Sequence, residues 1–499
     1  MYKKSDFRNQ IASLPLAMTH NKRNIEFICV SLAIEETRSW QYTRQMRKQS
    51  ISPVYLIPLS FLAAIVVGTL LLMLPFASSG GHCAGFLTAL FTAASAVCVT
   101  GLVVTDTYSS WSIFGQMVIM LLIQAGGMGI ISVAAILLHI AHRKFSLGYR
   151  LALQGALNVN QNNGILSLLV KIFKGTLFVE LVGAVFLALS FIPHFGFAKG
   201  LWASLFNAVS AFCNAGFDIL GPDSLVPFKS DLNVLATTTM LNILGGLGFV
   251  VWFDLHDTIL SGFRAKFSIR QIFSRLTEHT KLAICLTFGI SAIGALLFFA
   301  AEYGNPGTIG SMSLTDKILN SIFEAAAVRT SGFSTFPQGS MTDLSSLALC
   351  LLMFIGGSPI STAGGVKTVT FFLVFMNMIS YIKGEDKTTL FRKKVSSEIM
   401  RKAAAIVAVS ALTAITFAML LMAATGFPLK QSLFEAISAI STTGASLGIT
   451  QHLNATGMLI ITLAMYLGRI GPISMAIMFS RHYSSKNKIQ YAEGNFFVG

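Results

Sequence analysis

Charged side chains are scarce in this sequence. Only 11% of its 499 residues are Asp, Glu, Lys or Arg, where a soluble chain carries roughly a quarter. That scarcity, with 54% hydrophobic residues and a mean hydropathy of +0.69, excludes a soluble domain folded around one core. Acids are rarer still, 21 against 36 bases. Cysteines number six, with no CxxC and no Cys/His pairing, so neither a disulfide framework nor a zinc site is implied. The nine histidines fall in tails, loops or the ends of apolar runs. They form no His/Asp/Glu or Ser/His set at depth, which counts against the alternative of an integral membrane enzyme and leaves no catalytic residue to nominate.

What is present is apolar length. A helix needs about 20 apolar residues to cross about 30 Å of hydrocarbon. Eight segments qualify, near 54–76, 112–141, 165–193, 233–261, 280–303, 345–381, 403–425 and 456–480. The decamer "IEFICVSLAI" in the first 50 residues is too short to span. Residues 1–50, 142–164, 262–281, 382–402 and 481–499 hold 27 of the 36 Lys and Arg. Basic residues mark the cytoplasmic side, so both termini are expected there, as eight crossings require. The net charge of +15 is thus a topology signal spread over five loops, and no nucleic-acid partner is implied.

A second pattern is a repeat. After each odd-numbered span comes a short segment ending in glycine: "FTAASAVCVTGL", "FNAVSAFCNAGF", "FEAAAVRTSGF" and "FEAISAISTTGA". The glycines Gly101, Gly216, Gly332 and Gly444 are spaced by 115, 116 and 112 residues. The fold class expected is therefore an all-α integral membrane protein, with four pseudo-symmetric span–pore-helix–filter-loop–span repeats around one central pore. The boundaries read 1–50 for a basic cytoplasmic segment, then 51–145, 146–262, 263–385 and 386–485 for the four repeats, and 486–499 for a cytoplasmic tail.

Non-helical backbone at membrane depth survives only where protein buries it or where it lines water. Four such loops around an axis can turn carbonyl oxygens inward and replace the hydration shell of a cation. The half-helices also end at the loops, aiming negative dipole ends at that cation. Candidate ion-binding residues are Val99, Thr100 and Gly101; Asn214, Ala215 and Gly216; Thr330, Ser331 and Gly332; Thr442, Thr443 and Gly444. Acids such as Asp106, Asp218 and Asp223 fall on the outer side, where they can concentrate cations at the mouth.

The stretch 356–367 interrupts the sixth span with Gly356, Gly357, Pro359, Gly364 and Gly365. Proline and clustered glycines both oppose a helix, so a hairpin under the filter is expected in place of a kink. Three basic residues lie at membrane depth, where charge is costly and defaults to function. Arg329 is expected behind its loop as a brace, with Glu324 or Glu435 as candidate partners. Lys367 is placed to plug the cavity, and Arg469 to hold the hairpin shut. Glu180, inside the third span, is expected to be buried and hydrogen-bonded.

At this point the sequence resembles the Trk/Ktr/HKT superfamily of potassium transporters, over about residues 50–499. "FIGGSPISTAGGVKTVTF" (354–371), "YLGRIGPIS" (466–474) and "YAEGNFFVG" (491–499) look like its KtrB branch, as does a count of eight spans rather than ten. The resemblance implies a prokaryotic, multi-pass plasma-membrane subunit that takes up K+ through the four loops, with no organic cofactor. It implies a gate formed by Gly356, Gly357, Ser358, Gly364, Gly365, Lys367 and Arg469. It further implies a homodimer in lipid, one pore per subunit, above a cytosolic KtrA-type nucleotide-binding ring. In that superfamily a serine at the first-repeat glycine goes with sodium transport; glycine at all four positions favours potassium. Na+ dependence stays open, as does the alternative of a Trk-type or sodium-permeable relative. Residues 1–50 depart from the branch in length.

Overall fold

A computed structural model describes residues 53–130, 132–133, 135, 165–385, 388–391 and 393–471. The basic segment 1–50, the loop 142–164 and the tail 486–499 lie outside the described residues.

Among the described residues the regular structure is helical, apart from a two-residue β-ladder pairing Thr389–Leu390 with Lys393–Lys394. Repeat one comprises α1 (Pro53–Leu72), α2 (Phe86–Cys98) and α3 (Ile113–Gly127). Repeat two comprises α4 (Ile165–Phe195), α5 (Phe197–Cys213), α6 (Leu232–Leu247) and α7 (Phe249–Arg264), followed by the short α8 (Ile269–Arg275). Repeat three comprises α9 (Glu278–Glu302), α10 (Leu314–Ala327), α11 (Asp343–Phe354) and α12 (Thr368–Ile382). Repeat four comprises α13 (Ser397–Thr425), α14 (Leu429–Ile440) and α15 (Ala455–Ile470).

Burial is arranged for lipid. The long helices α1, α4, α9 and α13 expose Leu70, Phe178, Leu296 and Met419. Ser, Thr, Asn and Glu side chains share the interior with apolar ones. Lipid supplies no hydrophobic drive between helices, so small residues that permit close approach must hold them together. The same contact recurs in three repeats. A Cβ on Gly68, Gly183 or Gly294 of a first span would lie 2.6–2.7 Å from a methyl of Leu122, Leu241 or Leu352 on the second span. The short helices α2, α5, α10 and α14 bury Phe91, Phe206, Phe323 and Phe434 at matching positions.

The second spans of repeats one and two differ from the unbroken crossings that hydropathy suggests, while the sixth span is interrupted where a hairpin is expected. Among the described residues, only the first span of each repeat is a single helix long and apolar enough to cross a membrane. In repeats one, two and three the second is broken. Helix α6 turns through 98° into α7 at Gly248, whose φ of +99° is accessible to glycine and strained for other residues. Helices α11 and α12 are parted by residues 355–367, while α3 and α15 end beside Gly129 and Gly471. The cause is a glycine pair or near-pair under each filter loop: "GGMG" at 126–129, "GGLG" at 245–248, "GG" at 356–357 and "GRIG" at 468–471. Added Cβ atoms on Gly126, Gly245 and Gly468 would lie 1.8–2.1 Å from the carbonyl oxygens of Val97, Phe212 and Ile440. In repeats one, two and four the second span therefore presses bare backbone on the last turn of its own pore helix, whereas in repeat three Gly356 abuts the Gly364 carbonyl of the hairpin.

Candidate functional site

The four loops that follow α2, α5, α10 and α14 share one backbone signature. Positive φ occurs at the glycine and again two residues earlier: Val99/Gly101, Asn214/Gly216, Thr330/Gly332 and Thr442/Gly444. Alternating handedness turns successive carbonyls to one side. Three of the four earlier residues are β-branched, for which φ > 0 is a genuine outlier. Strain of that kind persists only where the surroundings impose it, and it clusters at functional sites.

The loops close into a ring. A Cβ added to Gly101 would lie 2.3 Å from the Ala215 carbonyl oxygen. One on Gly216 would lie 2.1 Å from that of Ser331, one on Gly332 2.3 Å from that of Thr443, and one on Gly444 2.1 Å from that of Thr100. Each repeat thus meets the next, and the fourth returns to the first. Thr100, Ala215, Ser331 and Thr443, each just before its glycine, supply the facing carbonyls. The loops are braced from their own pore helices. Thr100, Ala215 and Thr443 donate N–H bonds of 2.8 Å to the carbonyls of Ser95, Ser210 and Ser438. The Gly101 and Gly444 amides donate to the Ser95 and Ser438 hydroxyls, both at 3.1 Å.

On one side of the ring lies an open cavity of about 310 Å³, lined by all four glycines and by Asp106, Asp218 and Asp223. Among the described residues no Lys or Arg lines it. Asp218 lies outside the spans and is held by the Ser224 hydroxyl and the Leu220 amide. Desolvation pushes its pKa up to about 6 against those hydrogen bonds, and the nearby Asp106 adds to the rise.

The hairpin 355–367 packs against the other side. It is pinned to its own stem by Gly356 N–H to Val366 O at 2.9 Å and Val366 N–H to Phe354 O at 3.1 Å. Its tip docks on repeat two: Ser358 donates to Gly246 O at 2.9 Å, Thr362 to Gly245 O at 3.2 Å, and Phe249 N–H to Ile360 O at 2.9 Å. The Thr362 hydroxyl donates to Phe212 O at 3.2 Å and lies 3.1 Å from the side-chain amide of Asn214, a filter residue. Gly364 abuts repeat four, where an added Cβ would lie 2.0 Å from Thr442 Oγ1. Gly357, Gly364 and Ser358 are buried, and Gly365 has φ of +66°.

The three cations divide their work. Arg469 donates from Nη1 to Thr362 O at 2.6 Å and from Nη2 to Gly126 O at 2.7 Å. It therefore ties the hairpin to repeats one and four, from the last turn of α15. Lys367 folds back on the hairpin and donates to Ala363 O at 2.5 Å. Arg329 is buried behind the third loop and donates to Thr287 O and Ser291 Oγ on α9, both at 3.1 Å, and to Gly356 O at 3.4 Å. It braces the loop through carbonyls and a hydroxyl; neither Glu324 nor Glu435 is its partner. A guanidinium offers five donors and no acceptor, and the hairpin supplies one carbonyl to each arginine, Gly356 O to Arg329 and Thr362 O to Arg469. Glu180 is buried and accepts from Gln124 Nε2 at 3.2 Å.

Two features escape a reading of the sequence by motif. One is the glycine break under the first two loops, visible as "GGMG" and "GGLG" once the four repeats are aligned on their filter glycines. The other is the coupling of Asn214 to Thr362, 148 residues apart, for which no local signal exists.

Four re-entrant loops closed around one axis, acids on one side and a hairpin on the other, define a multi-pass membrane protein built to pass a cation. Comparison with known proteins agrees. The family described as "TrkH: Cation transport protein" matches residues 20–491. The chain is 37% identical over 448 residues to the Ktr system potassium uptake protein B of Bacillus subtilis, covering 90% of this chain and 97% of that one. It is 36% identical over 441 residues to the potassium/sodium uptake protein NtpJ of Enterococcus hirae, covering 88% and 94%. The crystal structure of the potassium transporter TrkH from Vibrio parahaemolyticus superposes with a TM-score of 0.65 at 16% identity, over 84% of each chain. The chain belongs to the TrkH family of cation transport proteins, and is a transporter rather than an enzyme.

Proposed function

We propose that this chain is the membrane subunit of a potassium uptake system of the KtrB kind. K+ enters from the acidic cavity, sheds water against the carbonyls of the four loops, and moves inward, drawn by about 2.3 kcal/mol per charge per 100 mV. The observation that carries this is the closed ring, in which every filter glycine faces the carbonyl preceding the next repeat's glycine. Such a ring leaves no room for a side chain. Potassium is preferred to sodium because all four positions are glycine and because relatives named for potassium uptake align over most of their length. The similarity to NtpJ, named for both ions, supports Na+ as a second transported or coupling ion. The hairpin gates the ring from below, held by Arg469. A homodimer above a cytosolic nucleotide-binding ring, with both termini in the cytoplasm of a prokaryote, completes the assembly.

The test is uptake of K+ into a cell lacking its own potassium transport, with and without a co-expressed ring subunit. Expected are growth on low K+ and uptake that the ring stimulates. Gly101→Ser should let Na+ compete, since a Cβ there meets the Ala215 carbonyl. Unchanged K+ preference for Ser at 101, 216, 332 and 444 alike would remove the loops from the filter.

A further inference from the structure

Two carboxyls sit in the pore helices themselves. Glu324 of α10 and Glu435 of α14 each follow the buried phenylalanine of their repeat and are fully buried. Repeats one and two carry Thr92 and Asn207 there instead. Neither carboxyl pairs with a Lys, Arg or His among the described residues. Each has one engaged oxygen, Oε1, while Oε2 is buried without a partner.

The engaged oxygens join one chain of contacts. Gln338 Nε2 donates to Glu324 Oε1 at 3.0 Å. Ser446 N–H donates to Gln338 Oε1 at 3.0 Å. Thr450, 2.9 Å from the Ser446 hydroxyl, donates its own hydroxyl to Glu435 Oε1. Gln338 and Thr450 occupy the same place in their repeats, six residues past Gly332 and Gly444. All three linking residues line the cavity above the filter. The chain runs from the pore helix of repeat three, across the segments leaving both filter loops, to the pore helix of repeat four.

We propose that Glu324 and Glu435, as neutral acids joined through Gln338, Ser446 and Thr450, are positioning residues that hold filter loops three and four in register and so set the preference for K+ over Na+. The proposal rests on the four-loop filter described above.

Three observations carry it. First, a buried carboxylate with one hydrogen bond and no counter-ion is costly, whereas the acid form needs no cation. Second, loop three lacks the brace of loops one and four. It is one residue shorter, and Ala327 stands where Ser95 and Ser438 receive the glycine amide in those loops. The Gly332 amide turns to Ala327 O, at 2.9 Å. Third, the seam between loops three and four is tight. A Cβ on Gly332 would meet the carbonyl carbon and Cα of Gly444 at 2.8 and 2.9 Å, besides the Thr443 oxygen. Discrimination between two monovalent cations depends on the number and placement of such carbonyls. A bridge across this seam governs that placement.

The experiment measures inhibition of Rb+ uptake by Na+ in the full chain, at matched membrane insertion. Thr450→Val keeps the side-chain shape and removes the donor to Glu435; Gln338→Leu cuts the link between the repeats. Each should lower the K+-over-Na+ preference about three- to tenfold, the size one lost hydrogen bond produces. Glu324→Gln retains a neutral acceptor and should keep the preference, as should Thr450→Ser. Glu324→Ala should lose it. Unchanged preference in inserted Thr450→Val and Gln338→Leu overturns the bridge. So does Glu324→Gln behaving like Glu324→Ala, which would make the negative charge the active feature. Gly101→Ser, assayed alongside, separates the two levels: if it alters selectivity while the bridge variants do not, the filter stands and the bridge falls.

Discussion

Asp218 is the residue whose chemistry is set most plainly by its position. It faces the cavity above the ring, and its pKa is raised to about 6, first by desolvation. A raised carboxyl pKa means that the fold favours the neutral acid. The negative charge is therefore absent at external pH 5 and present at pH 7. Asp106 and Asp223 share the cavity, and among the described residues no basic side chain lines it. Added negative charge concentrates cations at the mouth. Two unit charges 4 Å apart in water attract by about 1 kcal/mol, which puts the gain across open water at about fivefold. Initial uptake at subsaturating K+ should thus climb as external pH rises through about 6, and Asp218→Asn should flatten that step while leaving selectivity intact. A step unchanged in Asp218→Asn would assign it to another group.

Among the elements, the hairpin was the most legible in the sequence and its neighbours the least. A dozen residues rich in glycine, with Pro359, cannot continue a helix, so the break between α11 and α12 follows from composition alone. The breaks in the other second spans do not follow from hydropathy, because "GGLG" leaves a long apolar run apolar. Asn214 and Thr362 belong to different repeats, so nothing local reports their contact. Arg329 shows the same limit. Sequence offers Glu324 and Glu435 as nearby counter-ions, yet the folded chain gives the guanidinium the carbonyls of Thr287 and Gly356. The hairpin's function can be tested through its contacts. Arg469→Ala removes the donors to Thr362 O and Gly126 O but touches no filter glycine. Uptake should rise and depend less on the cytosolic ring, with K+ preference unchanged; deletion of 358–364 should act the same way. Full ring dependence at an unchanged rate, in variants inserted normally, would make the hairpin a structural kink.

For the whole molecule, the orientation proposed from Lys and Arg makes a prediction that the structure sharpens. If both termini face the cytoplasm, the segments before the pore helices and after the filters lie outside, and the turn between repeats three and four lies inside. Native cysteines supply a control. Cys83, before α2, is free and exposed, so a charged, impermeant thiol reagent should modify it in intact cells. Cys285 is also exposed, but it lies on α9 within a membrane-crossing helix, where such a reagent has no water from which to react. Further probes need exposed positions. Phe228 is only 2% exposed, so Ser230 serves for that loop, Ser340 for the outer segment of repeat three, and Lys394 for the β-turn preceding α13. Cysteines at 230 and 340 should be labelled from outside as Cys83 is. A cysteine at 394 should react only after permeabilisation. Labelling at 394 in intact cells, with Cys83 protected, would invert the molecule and place the acidic cavity in the cytoplasm. The repeats force that all-or-none outcome. Four loops entering with one orientation share one outer face, so no single loop can be on the wrong side without breaking the ring of glycines that meets at the axis.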